Sequence, residues 1–384
     1  MERRIMNGNQ AAALAVKLSR AQVVCAYPIT PQTSLVENIA NMWAQGNFPG
    51  EYVSVESEYS ALSYLIGAAY AGARTFTATS CQGLAYMHEL LHWSSGARLP
   101  IVMVNVNRTL GAPWSLEQDQ LDSLSQRDTG WLQFFCSDVQ EILETVIYAF
   151  RIAEETLLPC MVSYDGFSLS HTYEAVKIPS QEQVDSFLLS PPSQPLISPS
   201  QPETIQAVRD SRYMAPGAKI RHQAMMKVLE VVEAVEQEYA DIFGYSYPPV
   251  ENLYVENSDT VIVAAGAVAQ TVKSVLYPLE DYEEKKGLLR LMLFRPLPRE
   301  QIISLLDSTE AKNIVVIDRD ISAGTGGIFA QELRALLQRS SFRGKIFELN
   351  LAGGVDLTRE MLCKALDILE SGLEEEEIIW GVDL

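Results

Sequence analysis

Short apolar segments alternate with longer segments of helical character along most of this chain. The clearest apolar runs are rich in Val, Ile and Ala, and they are Gln22–Tyr27, Thr75–Thr79, Ile101–Val106, Cys160–Tyr164 and Thr260–Ala265. The run Ile101–Val106 is almost wholly apolar, as expected of a strand that is covered on both faces. Strands that alternate with helices of roughly 10–15 residues form βαβ units. The sequence therefore predicts an α/β protein with parallel sheets.

The alternation is interrupted once, near the middle of the chain. Pro191–Pro202 is rich in Pro, Ser and Gln without periodicity, which predicts a connector, and a polar helix follows from His222 to Ile242. A second α/β region opens at Thr260, and the last residues, with Glu374–Glu377, are expected to form a solvated tail. The predicted parts are an α/β domain over 1–190, a connector and helix over 191–258, and a second α/β domain over 259–384.

Composition narrows the classes of function. The net charge of −20 over 384 residues disfavours nucleic acid and anionic membranes as partners. The five cysteines include no CxxC pair, which excludes a disulfide framework and an iron–sulfur ligand set and predicts reduced, buried thiols in a cytoplasmic protein. We expect neither a secretory signal nor a membrane span, because no stretch approaches about 18 uninterrupted apolar residues.

Polar residues follow the predicted strands of the first domain. In an open parallel sheet, ligands bind beyond the carboxyl ends of the strands, near the point where the strand order reverses. The segments directly after the first four strands are Tyr27–Pro31, Glu56–Glu58, Ser80–Gly83 and Asn107–Arg108. We therefore expect their side chains to gather at one edge of the sheet.

Three of these side chains are candidates for function, and each also has an ordinary structural role. Glu58 can be an acid in a first helical turn, stabilised by the helix dipole at about 0.3–1 kcal/mol. Arg108 can pair with a nearby carboxylate, or it can hold a substrate carboxylate through two hydrogen bonds. Thr30 lies between two prolines, and its hydroxyl can cap the following helix. Position alone leaves these alternatives open.

The same residues lie in longer motifs. In the first domain these are YPITP (Tyr27–Pro31), VESEYSA, TATSCQGLAYMHELL, RLPIVMVNVNR and SQRDTGW, and in the second GLLRLMLFRPLP, VVIDRDISAGTGG and LAGGVDLT. Together they resemble the alpha subunit of 2-oxoacid:ferredoxin oxidoreductases, the pyruvate type most of all, over nearly the whole chain. The resemblance implies a first domain like the pyrimidine-binding domain of thiamine-diphosphate enzymes. It implies a second domain like the carboxyl-terminal domain of transketolases.

The resemblance also implies roles for individual residues. Glu58 matches the family glutamate that bonds N1′ of the thiamine aminopyrimidine, where a carboxyl group favours the imino tautomer that removes the proton from thiazolium C2. Such a carboxyl group works best when it is partly desolvated. Thr30 and Arg108 match residues that hold the 2-oxoacid, and Tyr27 and Pro28 match residues that line the pyrimidine pocket.

The implied enzyme is a heteromeric oxidoreductase. It converts a 2-oxoacid and coenzyme A to acyl-coenzyme A and carbon dioxide and passes electrons to ferredoxin. This chain lacks the Gly-Asp-Gly segment that anchors the diphosphate through a metal, and it lacks cluster cysteines. No metal ligand is therefore expected here. The diphosphate, Mg²⁺ and [4Fe-4S] clusters are expected in partner chains: a beta subunit, a gamma subunit and an iron–sulfur subunit.

The substrate stays open at this point. Pyruvate is the first expectation, with an aryl, indolyl or branched 2-oxoacid or another electron acceptor as alternatives. The chain departs from the family pattern at Gln120, where a histidine is common, and at Val355, where an arginine is common. A non-catalytic scaffold is a different class of function. The presence of Thr30, Glu58 and Arg108 together disfavours it, because a scaffold does not require these three residues.

Two other enzyme classes fit poorly. His88 and His92 form an HELLH sequence within a helix predicted over Leu84–Ser94, which has the form of a zinc-protease motif but has no apparent third ligand. A dinucleotide-binding dehydrogenase requires GxGxxG after the first strand, and neither domain has it.

Overall fold

The computed structural model of the chain describes residues 2–190, 208–276, 286–370 and 378–384, with residues 197–198, 200, 202 and 204–205 between the first two ranges. Most of the predicted connector Pro191–Pro202 and the acidic residues Glu374–Glu377 lie outside the described residues.

Strands and helices alternate through both halves of the described chain. The strands are β1 Glu2–Asn7, β2 Val23–Ala26, β3 Glu51–Ser54, β4 Thr75–Thr79, β5 Ile101–Asn107, β6 Leu132–Phe135, β7 Cys160–Asp165, β8 Tyr173–Ile178, β9 Val250–Leu253, β10 Thr260–Ala265, β11 Lys286–Leu291, β12 Leu293–Arg295, β13 Asn313–Asp318, β14 Lys345–Asn350 and β15 Ile378–Trp380. The α-helices are α1 Gly8–Leu18, α2 Thr33–Ala44, α3 Glu58–Tyr70, α4 Cys81–Tyr86, α5 His88–Gly96, α6 Leu121–Leu124, α7 Val139–Thr156, α8 Gln181–Phe187, α9 Ser211–Phe243, α10 Ala267–Leu276, α11 Arg299–Asp307, α12 Ile328–Leu337 and α13 Arg359–Glu370.

A seven-stranded sheet takes six strands from the first half of the chain and one from the second. Its order is β12-β6-β7-β5-β4-β2-β3, and every pair is parallel except β12 with β6. Strands β4 to β7 are fully buried because helices cover both faces of the sheet. The chain runs from β2 to β3 on one side and then returns to β4 on the other. The strand order therefore reverses between β2 and β4.

A six-stranded sheet occupies the second half, in the order β15-β14-β13-β10-β11-β9. It is parallel except for β9, which runs antiparallel to β11 at the edge. Apolar clusters cover its two faces, and its strand order reverses between β10 and β13. The prediction of an α/β fold with parallel sheets is confirmed.

Helix α9 begins at Ser211, before its predicted start at His222. Its second half packs onto the first core through Val228, Val232 and Tyr239, next to α7. This helix therefore packs with the first half of the chain, and the domain boundaries at 190 and 259 stay a prediction.

Two predicted elements need correction. The helix predicted over Leu84–Ser94 is two helices, α4 and α5, separated at Met87, whose amide donates to the carbonyls of both Gly83 and Leu84 in a tight turn. The chain end is not wholly a solvated tail, because Ile378–Trp380 forms the edge strand β15 and pairs with β14.

All five cysteines are free thiols; Cys25, Cys81, Cys136 and Cys160 are buried, and Cys363 is exposed. Within the described ranges, no helix combines the length and apolar character needed to cross a bilayer.

Candidate active site

The loops that follow β2 and β4 lie at the carboxyl edge of the first sheet, where its strand order reverses. Two side-chain hydrogen bonds hold the loop that follows β2. The Gln32 side chain donates to the carbonyl of Ala78 in β4 at 2.7 Å, and buried Asn9 donates to the carbonyl of Pro31 at 2.8 Å. The exposed residues of this loop are Tyr27, Pro28 and Thr30. The fold thus fixes the loop and leaves these three side chains accessible.

Glu58 is the first residue of α3, directly after the Ser57 cap. It is only 7% exposed, and its carboxyl group forms no hydrogen bond or ion pair with the part of the chain that the structure describes. A Cβ atom on Gly83 would lie 2.5 Å from Glu58 Oε1, so this approach requires glycine. The carboxyl group therefore has no donor among the described residues and is free to accept or share a hydrogen bond with a bound molecule. The helix-dipole role alone does not require such burial.

Arg108 follows β5 and is 5% exposed. One terminal nitrogen donates to the carbonyl of Thr30 and the other to Oε1 of Gln82. Its Nε is buried without a partner, and no carboxylate of the described residues forms an ion pair with it. Arg108 therefore does not serve as the ion-pair partner of a described carboxylate. Two of the five guanidinium donors are in use, which leaves donors for a ligand.

The segment Gln82–Gly83 connects the candidates. Gln82 holds Arg108, and the backbone of Gly83 lies against the Glu58 carboxyl group. Thr30 contacts Arg108 through its carbonyl and not through its hydroxyl, and no side chain caps α2. The structure thus brings Thr30, Glu58 and Arg108 to one edge of the sheet.

Asp122 is a buried residue of the site whose importance the sequence did not reveal. Its carboxylate accepts from the side chains of Asn105 and Asn107 at 3.0 and 2.7 Å, and from the amides of Cys81 and Arg108 at 3.0 and 3.2 Å. Burial raises the pKa of Asp122 to about 6. This residue ties the ends of β4 and β5 together. The available signal was the pair of asparagines in an otherwise apolar strand, since each needs a buried partner.

The two departures from the family pattern lie where the two halves meet. Gln120 Nε2 donates to Asp165 Oδ1 at 3.3 Å and to the carbonyl of Ala265 at 3.4 Å. The carbonyl of Val355 accepts from Arg319 at 3.5 Å. Both residues therefore contact the junction between the two sheets rather than the Arg108 side chain.

The HELLH helix does not present a metal site in this structure. His88 Nδ1 bonds Gln126 Oε1 at 2.6 Å, and the ring of His92 stands edge-on to that of His88, with centroids 5.0 Å apart. The described residues include no cluster of three or more His, Cys, Asp or Glu side chains suited to a metal ion.

Comparison with known families agrees with this geometry. Residues 14–239 match the family described as pyruvate flavodoxin/ferredoxin oxidoreductase, thiamine diphosphate-binding, and residues 258–362 match pyruvate:ferredoxin oxidoreductase core domain II. The first of these matches covers more than half of the chain and shows the class: a thiamine-diphosphate-binding oxidoreductase.

Similarity to named oxidoreductase subunits shows the family of this chain. The chain is 42% identical to ketoisovalerate oxidoreductase subunit VorA of Pyrococcus abyssi over 98% of this chain and 97% of that one. It is 41% identical to pyruvate synthase subunit PorA of Methanothermobacter thermautotrophicus over 92% of each. The chain belongs to the 2-oxoacid:ferredoxin oxidoreductase family.

Solved structures support the fold. A 2-oxoglutarate:ferredoxin oxidoreductase from Magnetococcus marinus superimposes with a TM-score of 0.73 at 21% identity, over 95% of this chain and 65% of that one. A split-gene transketolase superimposes with a TM-score of 0.55 at 13% identity, over 94% and 93%. The predicted likeness of the fold to thiamine-diphosphate enzymes and transketolases is confirmed.

Proposed function

We propose that this chain supplies the cofactor-activating part of the active site in a heteromeric enzyme that oxidatively decarboxylates a 2-oxoacid. The reaction joins the acyl group of the 2-oxoacid to the sulfur of coenzyme A and releases carbon dioxide, one proton and two electrons. Two ferredoxin molecules each accept one electron. The observation that carries the proposal is Glu58, which is only 7% exposed, has no partner among the described residues and lies against Gly83.

The residues at this edge of the sheet suit the cofactor. Glu58 would hold a proton at N1′ of the aminopyrimidine, and Tyr27 and Pro28 would line the pocket of that ring. When bound, thiamine diphosphate supplies a nucleophilic carbon and accepts the electrons released on decarboxylation. Low exposure strengthens the Glu58 interaction, because a hydrogen bond inside a protein is electrostatically stronger than one in water.

Arg108 and Thr30 would hold the substrate. The unused guanidinium donors suit a carboxylate, and a planar fork can orient it. Thr30 is an exposed residue of the turn that Arg108 contacts, and its hydroxyl would donate to a substrate oxygen. Fixing the carboxylate at this position sets the 2-oxo carbon toward the cofactor.

A partner chain is needed to complete the site. Exposed aromatic side chains surround the start of α3. Tyr86, Tyr64 and Trp93 are exposed, and the ring of half-buried Tyr59, which follows Glu58, lies 5.7 Å from that of Tyr86. Such a patch is typical of a protein interface. We assign it to a beta subunit that carries Mg²⁺ and the diphosphate, with gamma and iron–sulfur subunits holding the [4Fe-4S] clusters.

The five free cysteines support a cytoplasmic location.

The test is an assay of the purified complex with a panel of 2-oxoacids, coenzyme A and a low-potential dye. Dye reduction should require a 2-oxoacid, coenzyme A and thiamine diphosphate together. The isolated chain is the control, and it should neither decarboxylate nor show iron–sulfur absorbance. The proposal would be contradicted if an intact complex failed to reduce the dye with every 2-oxoacid of the panel.

A further inference from the structure

Trp114 covers the guanidinium group of Arg108. Its indole ring lies 5.1 Å from Arg108 Cζ, at the distance of a cation–π contact. Arg108 is almost fully buried, whereas Trp114 remains 58% exposed. One part of the indole therefore covers the proposed carboxylate-binding group, and a large apolar area beside it faces outward.

The loop that carries Trp114 is tied at its base. The Thr109 hydroxyl donates to the carbonyl of Ser115 and accepts from the amide of Ser115, both at 2.8 Å. The amide of Thr109 also donates to the carbonyl of Glu117 at 3.1 Å. These bonds close the loop around Trp114, so the fold holds the backbone that carries the indole next to Arg108.

The arrangement limits where a substrate can lie. A carboxylate approaches a guanidinium in its plane, where the N–H donors point, and the indole of Trp114 occupies one side of the Arg108 guanidinium group. The remainder of the substrate must then extend from a position next to the indole. An exposed aromatic ring beside a buried charge offers apolar contact to that remainder.

We propose that Trp114 is a specificity-determining residue that selects 2-oxoacids with an apolar side chain larger than methyl, by packing its indole against that side chain. The inference rests on the proposed function and deepens it, because it names the substrate class. A branched aliphatic or an aryl side chain fills the same contact, whereas the methyl group of pyruvate reaches little of it.

The experiment compares Trp114→Ala, Trp114→Phe and the unaltered protein in the complete complex. The measured quantity is kcat/KM for 3-methyl-2-oxobutanoate, phenylglyoxylate and pyruvate. Trp114→Ala should lower the ratio of the preferred larger substrate to pyruvate by about tenfold, the discrimination that one or two methylene groups give in an apolar pocket. Trp114→Phe keeps an aromatic face and should retain most of the ratio. Trp43→Ala removes another exposed tryptophan, on α2, and should leave the ratio unchanged.

Each other outcome overturns the inference. An equal loss for all three substrates would mean that Trp114 only shields Arg108. Loss of the complex on gel filtration would mean that the indole belongs to a subunit interface. An unaltered complex that oxidises pyruvate alone would refute the substrate class but leave the proposed function intact. An unaltered complex that oxidises no 2-oxoacid would overturn both, so the two failures are distinguishable.

Discussion

At the scale of single residues, Glu58 combines burial with the lack of a described partner. Glu58→Gln should leave the complex assembled and slow hydrogen–deuterium exchange at C2 of bound thiamine diphosphate by about 10²–10⁴-fold. The reason is that an amide cannot supply the proton that a carboxyl group shares at N1′. Exchange is followed by NMR after acid quenching.

The matched control is Glu56→Gln. Glu56 belongs to the same loop, but it is exposed and accepts from the Ser60 hydroxyl at 2.6 Å. This variant should exchange at the normal rate. If Glu58→Gln also exchanges normally, Glu58 acts only as an acid at the start of α3.

Arg108 holds two neighbours at once, the carbonyl of Thr30 and the side chain of Gln82. Arg108→Lys keeps the charge but loses the planar fork, so one ammonium group cannot keep both contacts and bind a carboxylate. We expect kcat/KM for the best 2-oxoacid to fall roughly tenfold to a hundredfold, mainly through KM, since a charge-assisted hydrogen bond contributes about 1.5–3 kcal/mol. Steady-state kinetics of the complex measure this.

Arg98→Lys serves as the control for this change. Arg98 also donates to main-chain carbonyls, those of Thr156 and Leu157, but it lies at the opposite end of the strands from Arg108. Its replacement should leave KM within about twofold. Normal kinetics in Arg108→Lys would mean that Arg108 does not bind substrate.

At the scale of elements, Asp122 joins the ends of β4 and β5 to α6. Asp122→Asn replaces one acceptor oxygen with an amide NH2 group, which would face hydrogen-bond donors. The free energy of unfolding should fall by at least about 2 kcal/mol, because buried donors lose a charged acceptor. Urea denaturation measures the change. Asp185→Asn, which breaks the exposed pair with Arg20, should cost at most about 1 kcal/mol, and an equal loss in both variants would contradict the role of Asp122.

The elements that sequence patterns predicted are those with a strong apolar signal. Strands β4, β5 and β10 were found because they are continuous apolar or β-branched runs that end up almost wholly buried. The antiparallel ribbon of β1 and β8 was missed, since most of its residues are exposed. The pairing of β12 with β6 could not be predicted, because three residues carry no pattern and tertiary contacts decide their partner.

In the candidate site, too, the sequence predicted the placement of residues but not their detailed contacts. The rule that polar residues gather beyond parallel strands predicted that Thr30, Glu58 and Arg108 would lie at one edge, and the fold places them there. Their chemical roles stay predictions. The contacts of Arg108 with Gln82 and Trp114 depend on loop conformations that sequence spacing does not determine.

At the scale of the whole molecule, folding buries several acids in a chain with a net charge of −20. Burial raises the pKa of Asp122 and Asp138 to about 6 and that of Glu144 to about 7. The unfolded values lie near 4, so between about pH 4 and 7 the folded state binds more protons than the unfolded state. The free energy of unfolding should therefore fall as pH rises through this window. We expect a higher urea midpoint at about pH 5.5 than at about pH 8, and the opposite order would contradict the burial of these acids.

The edge of the first sheet is covered by β12, a strand that the ribosome synthesises much later than the rest of that sheet. The first sheet has β6 at its edge until Leu293–Arg295 pairs with it, and that segment is translated long after Leu132–Phe135. At about 5–20 residues per second the interval lasts roughly ten to thirty seconds. During that time the nascent chain carries the apolar strand LQFF with one row of backbone groups open to pairing with another chain.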